Sequence, residues 1–214
     1  MTATQIKVAI VGVTGYAGME LLRLLHAHPY VQVVSVHQTT ATQETLDQTF
    51  PHLQSLYKIT PTPVDPVHIM QNADLVFFAT SSGVTKTLAA PFIAQHFPVI
   101  DLSGDFRLNA KDYAQWYHQP AAPQALLDQA NYSLADFYDN DKPYIANPGC
   151  YATATLLALA PLAQAQLLDT DSIVIDAKSG LSGAGKSLTT ANHFVTVNEN
   201  MMMYKPNQHQ HLPE

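Results

Sequence analysis

The sequence predicts an α/β protein built on a doubly wound, Rossmann-like parallel sheet. Three observations carry this expectation. Short, nearly continuous apolar runs alternate with runs of helical spacing, which is how strands covered on both faces read beside their crossover helices. Three glycines, Gly12, Gly15 and Gly18, follow the first apolar run and open the first helical one. A second junction of the same kind, strand then turn then helix, comes at Asn147 to Cys150.

Taken in order, Ile6 to Val11 (IKVAIV) is the first buried strand. Met19, Leu21, Leu22, Leu24 and Leu25 then recur at helical spacing until Pro29 stops them. Val31 to Val36 (VQVVSV) is a second strand. Thr39 to Pro66 is polar, Thr- and Pro-rich and weakly periodic, so it is expected to be loops with one short helix near Leu46. Ala73 to Thr80 is a strand, Val84 to His96 a helix, and FPVIDLSG a strand ending near Leu102. Ala110 to Pro143 is aromatic, Pro-rich and irregular. YIANPGC then leads a strand through a turn into the helix YATATLLALAPL, and SIVIDAK (Ser172 to Lys178) is a further strand before the glycine cluster SGLSGAG.

Composition narrows the function. A hydrophobic fraction of 47% in 214 residues suffices for a packed core. Ten basic residues against seventeen acidic ones, with no basic stripe, argue against a nucleic-acid partner. The apolar runs are too short for a membrane span, and the N-terminus leads directly into the first strand rather than forming a signal peptide. A single cysteine, Cys150, cannot form an internal disulfide and fits a reducing, cytoplasmic setting.

Gly12-x-x-Gly15-x-x-Gly18 lies where a dinucleotide fingerprint must lie. The first glycine allows the tight turn, the second lets backbone approach a pyrophosphate, and the third lets helix pack on strand. The spacing is one residue wider than the usual pattern, through Val13 and Thr14. The position about 20 residues on, which in NAD-selective enzymes is acidic, falls in Val36-His37-Gln38-Thr39-Thr40. With no carboxylate to repel a 2′-phosphate and hydroxyls able to donate to it, NADP (NADPH) is the expected cofactor and Thr39 a contact to it.

Asn147-Pro148-Gly149-Cys150 places the only thiol at the first position of a helix. There the positive end of the macrodipole favours the thiolate, which makes Cys150 a candidate nucleophile rather than an inert buried cysteine. Gly180 to Ser187 (GLSGAGKS) matches the pattern of an ATP-binding P-loop. Such a loop must open a firm helix, and SLTTANHFVTVNEN is rich in Thr, Asn and β-branched residues. A glycine-rich loop beside a substrate phosphate is therefore the preferred reading, with a phosphotransferase as the alternative. His209 and His211 lack further ligands at metal-binding spacing, so no metal site is expected and one of them is a candidate general acid or base.

GVTGYAGMELLRLL, SGDFRL (Ser103 to Leu108), ANPGCYATATLLALAPL, SGLSGAGK and HQHLPE together resemble the N-acetyl-gamma-glutamyl-phosphate reductase family, relatives of aspartate-semialdehyde dehydrogenase. The resemblance implies a cytoplasmic, homo-oligomeric enzyme of arginine biosynthesis that acts on a small molecule with NADPH. It implies that Cys150 is the nucleophile and His211 the acid/base, with His209 second, because Gln210 and Leu212 stand where the family usually has Arg and Thr. Arg107, Asn147, Ser179 and Gly180 are the implied substrate contacts. Thr14, Tyr16, Ser81, Ser182 and Gly183 join the three glycines and Thr39 on the cofactor side. The implied division is a cofactor domain over residues 1–149 and the start of an α+β substrate domain over 150–214. Family members are much longer, so the chain is expected to be a fragment whose second domain is incomplete, and a binding module without turnover is the other alternative.

Overall fold

The computed structural model describes residues 5–40, 42–54, 56–137 and 141–214. The reading of the first four residues as a lead-in to the first strand lies outside them.

Strand β1 (Ile6–Val11) feeds helix α1 (Tyr16–His26), which returns the chain to β2 (Val31–Gln38). The short helix expected near Leu46 is α2 (Leu46–Thr49), held by a capping box between Thr45 and Gln48. The sequence reading missed β3 (Thr62–Pro63) and α3 (Pro66–Asn72). The start signal of α3 is nonetheless local: Asp65 accepts from the N–H groups of Val67 and His68, and Pro66 occupies the first turn.

After β4 (Leu75–Phe78), the single helix expected over Val84 to His96 is two, α4 (Thr85–Leu88) and α5 (Ala90–Ala94). Pro91 has no N–H to continue α4 and instead sits in the first turn of α5. β5 (Val99–Asp101) follows. The stretch read as irregular contains α6 (Ala110–Tyr117), capped by Asn109, then α7 (Gln124–Leu127) and β6 (Ala130–Tyr132). β7 (Tyr144–Ala146) leads to α8 (Cys150–Gln164).

The strand expected over Ser172 to Lys178 is absent: Thr170–Ser172 form a 3-10 turn, and Ile173, Val174 and Ile175 lie exposed. A strand exists only as part of a ladder, and none of the described strands pairs with this segment. Short 3-10 turns at Leu181–Ala184 and Thr190–Asn192 and the four-residue α9 (Phe194–Val197) follow. Lys186-Ser187 thus opens no helix, and the geometry a P-loop needs is missing.

All seven strands are parallel, in the order β3-β2-β1-β4-β5-β7-β6. Alternation along β1 assigns its side chains to two cores. Ala9 and Val11 join Val76, Phe78, Val99 and Tyr144 under α3 and α5, which contribute Ile69 and Phe92. Ile10 points the other way, with Val36, Leu22 of α1 and Leu46 of α2. Helices therefore cover both faces, and the sheet is doubly wound as expected. Strand order reverses between β1 and β4, so their carboxyl ends diverge and leave a crevice there.

Candidate active site

At the crevice, Gly12 takes φ +87°, a left-handed conformation that a side chain would strain, and its N–H donates to His37 O at 2.9 Å. A Cβ on Gly12 would stand 2.5 Å from Ala79 O, and one on Gly18 would stand 2.4 Å from Gly12 O. These two glycines let α1 and the β4 end close on the β1 turn. Gly15 differs: a Cβ there meets nothing nearer than Gly12 O at 3.5 Å. The space beside Gly15 is open, and its residue starts α1 with no side-chain cap, so the first N–H groups of the helix are left for an anion. Thr14 is half-buried beside it and Tyr16 exposed. Thr39 lies exposed just past β2, and Ser81 exposed just past β4.

Ser182 and Gly183 face this same side of the molecule. With Tyr16, Glu20, Arg23 and His52 they line a cleft of about 520 Å³, and Lys186 places its ammonium 4.4 Å from the Phe50 ring and 5.5 Å from the Tyr16 ring. Ser179 and Gly180 lie exposed, Gly180 with no neighbour within 4 Å of its would-be Cβ, and neither hydrogen-bonds to Cys150 or to the two histidines among the described residues.

The second site lies at the carboxyl end of β7. Asn147 N–H donates to Asp101 O at 2.8 Å, which ties the turn to the end of β5. Pro148 and Gly149 are buried, and Cys150 is an exposed free thiol at the first position of α8. The chain from His209 to Leu212 closes a turn through Leu212 N–H to His209 O, 3.0 Å, and brings both imidazoles to this spot. Their ring centroids are 4.5 Å apart, and each ring meets Tyr151 edge-on. The His211 ring lies on Gly149, where a Cβ would be 2.4 Å from Nε2.

Burial first, and the Arg107 charge second, push His211 down to about 4, so it is neutral at physiological pH. Arg107 Nη1 is 3.4 Å from His211 Nε2, and a guanidinium can only donate, so Nε2 is the acceptor and Nδ1 carries the proton. Burial also lowers His209, whose Nδ1 accepts from His211 N–H at 3.2 Å.

Arg107 is buried and has protein partners on all three nitrogens. Nε donates to Asn147 O and Nη2 to Leu102 O, both at 2.8 Å, and Nη1 pairs with Glu214 at 3.2 Å. Beneath it lies an acidic network the sequence reading did not single out. Asp101 accepts from Ser103 N–H, Ser103 Oγ and Tyr144 Oη, and burial raises its carboxyl to about 6. Asp105 accepts from the N–H groups of Gly83 and Lys86 and from Tyr113 Oη. Glu214 was likewise missed. It closes the HQHLPE segment that carries the resemblance, but nothing local gives it a role, because its contacts lie 65 and 107 residues away.

The fold thus carries a glycine turn at the switch point of a parallel sheet and, past the end of β7, an exposed thiol at a helix N-terminus with a neutral imidazole packed on the preceding glycine. Residues 7–181 match the family described as semialdehyde dehydrogenase, NAD binding domain, and residues 150–214 the semialdehyde dehydrogenase, dimerisation domain. The chain belongs to the semialdehyde dehydrogenase family. It is 51% identical over 210 residues to the N-acetyl-gamma-glutamyl-phosphate reductase of Listeria innocua, and 53% identical over 209 residues to that of Streptococcus mutans. Each alignment takes in 97% of this chain but only 61% and 62% of those proteins, so the chain spans about three fifths of their length. Among solved structures, aspartate semialdehyde dehydrogenase II of Vibrio cholerae, complexed with ASA, superposes with a TM-score of 0.55 at 19% identity, over 86% of this chain and 49% of that one. That likeness is one of fold.

Proposed function

We propose that the chain carries the cofactor-binding and cysteine-bearing parts of an N-acetyl-gamma-glutamyl-phosphate reductase, which reduces the acyl phosphate to N-acetylglutamate semialdehyde and releases phosphate. The observation that carries this reading is the His211 ring lying on Gly149, next to an exposed Cys150 at the first position of α8. Relatives bearing that name at about half identity supply the substrate.

The crevice fits a dinucleotide. The open space at Gly15 and the uncapped start of α1 suit a pyrophosphate. Gly12, Gly18 and Thr14 shape that turn, and Tyr16, Ser81, Ser182 and Gly183 border it. Thr39, with no acid beside it, suits the 2′-phosphate of NADP. NADPH, when bound there, supplies the hydride.

In the mechanism, the Cys150 thiolate attacks the acyl carbon, the C–S bond forms, and the C–OP bond breaks as phosphate leaves. The α8 N-terminus stabilises the negative charge on sulfur and on the departing phosphate, and Arg107 adds positive charge behind the turn. Asn147, Ser179 and Gly180 complete the substrate side. Once the thioester carbon has been reduced to a hemithioacetal, the neutral His211 takes the hydroxyl proton as the C–S bond breaks and the aldehyde leaves. His209, bonded to the His211 amide, is the second choice for that proton. The two functional parts divide at Cys150, 1–149 and 150–214. The match to a dimerisation domain supports a homo-oligomer, and the biosynthetic role supports a cytoplasmic location.

The test is acyl capture. Incubated with N-acetyl-gamma-glutamyl phosphate and no reductant, the chain should gain one N-acetylglutamyl group on Cys150, and with NADP, phosphate and the semialdehyde it should raise the nicotinamide absorbance. Turnover that survives Cys150→Ser would overturn the covalent mechanism.

A further inference from the structure

We infer that Glu214 is a positioning residue for the cysteine site: its buried carboxylate holds the Gly149 turn and, through Arg107, the ends of β5 and β7, so that His211 stays seated on Gly149, next to Cys150 in the chain. The inference rests on the proposed function for what is being positioned, but its geometry stands without it.

The Glu214 side chain is fully buried. A carboxylate in such a place is retained only where donors replace water, and here they converge from three elements. Oε2 accepts the Gly149 N–H at 2.7 Å and the Tyr132 hydroxyl at 3.4 Å, while Oε1 is 3.2 Å from Arg107 Nη1 and 3.9 Å from His211 Nε2. α8 has no side-chain cap of its own, so the amide of its N-cap residue is satisfied by a glutamate 65 positions along the chain. Arg107 passes the restraint on, because its other donors hold Leu102 O, just past β5, and Asn147 O, just past β7. The Glu214–Arg107 pair thus joins two strand ends, the Asn147–Gly149 turn and the histidine segment in one cluster. His211 is three residues before Glu214, so anchoring the carboxylate anchors the imidazole. The Glu214 side chain is closed off from solvent and its donors are Gly149, Tyr132 and Arg107, so it positions the turn and does not itself exchange a proton.

The experiment uses the 15N-labelled chain and the variants Glu214→Gln and Glu214→Ala, each checked for folding by its thermal transition. In the unmodified chain a charge-assisted bond of this length should move the Gly149 amide proton well downfield, and Gln should bring it back toward the ordinary range. Gln keeps an acceptor for Gly149, whereas Ala removes it. Iodoacetamide should therefore alkylate Cys150 in the Gln variant at close to the original rate, and in the Ala variant about threefold or more slower than in Gln. A Gly149 amide at an ordinary position in the unmodified chain, or equal alkylation of the folded Gln and Ala variants, would overturn the inference. If Ala does not fold, the Gly149 shift and its change in the Gln variant decide alone. A failure of the proposed function looks different: Cys150 takes up no acyl group from the acyl phosphate, while the Gly149 signature persists.

Discussion

The imidazole of His211 occupies the place where a side chain on Gly149 would begin, with Nε2, Cε1 and Cδ2 all within 2.6 Å of that point. Gly149 is in extended backbone, φ -65° and ψ 160°, so its own conformation does not call for glycine. Contact with the histidine does. Gly149→Ala should consequently leave the fold standing and displace His211. The expected result is a fall in turnover of about tenfold or more, with a change in the unfolding transition of about 1 kcal/mol or less. Parallel measurement of kcat and thermal stability checks it, and normal turnover would remove His211 from the site.

The three glycines of the first turn should separate by role. Gly18→Ala drives a Cβ into Gly12 O and within 2.8 Å of Val13 Cα, backbone that cannot swing away. It is expected to cost about 1–3 kcal/mol in denaturant unfolding. Gly15→Ala meets only ordinary contacts and should keep stability while weakening NADPH binding, because the methyl group fills the space proposed for the pyrophosphate. Fluorescence titration of NADPH alongside urea melts distinguishes the two, and undiminished binding by Gly15→Ala would place the pyrophosphate elsewhere.

Two titratable groups pull stability in opposite directions with pH. Asp101 is raised from 3.8 to about 6, so its contribution is fully present below about pH 4 and is lost as pH rises through 6. His211 is lowered from 6.5 to about 4, so its contribution is present above 6.5 and is lost as pH falls through 4. The Asp101 effect is on the order of 3 kcal/mol, that of the partly exposed His211 is smaller through solvent screening, and between pH 4 and 6 they oppose each other. Asp101→Asn should uncover the histidine slope, with stability dropping steadily on acidification. His211→Asn should uncover the reverse. Urea melts at intervals across that window provide the check, and identical pH slopes for Asp101→Asn and the parent chain would show that Asp101 is not the group responsible.

Cofactor choice is testable at the end of β2. Thr39 is exposed there, and a carboxylate at that position would face the proposed 2′-phosphate. Thr39→Asp should weaken NADPH binding by about tenfold and leave NADH within about twofold. Dissociation constants for both nucleotides measure this, and equal losses for the two would move the ribose away from Thr39.

Much of the fold was readable because buried parallel strands announce themselves. Ile6–Val11 and Leu75–Phe78 are apolar on both faces, and the structure uses both faces. What escaped depends on partners. Ile173 to Ile175 have strand composition, yet composition does not provide a neighbouring strand. The three residues of β6 are defined only by pairing with Tyr144 to Ala146, and nothing local marks them. Pro91 was a local signal read too lightly. At the site, the glycine turn and the Asn147–Cys150 junction were legible as spacing, since tight turns demand particular residues. The seating of His211 on Gly149 and the burial of Glu214 were not, because each joins segments some sixty residues apart.

α8 is almost wholly apolar over fifteen residues and has no buried residue. Leu157, Leu162 and Leu167 stand partly or largely in solvent, as do Ile173 to Ile175. For a 23.4 kDa chain this is a colloidal property as much as a structural one. Such exposure should bind environment-sensitive dyes in the native state and scatter light as concentration rises. Melting curves of this chain should therefore shift with loading and scan rate, as expected where self-association competes with refolding. Dilute samples and a mild non-ionic detergent are the conditions under which its intrinsic behaviour can be read.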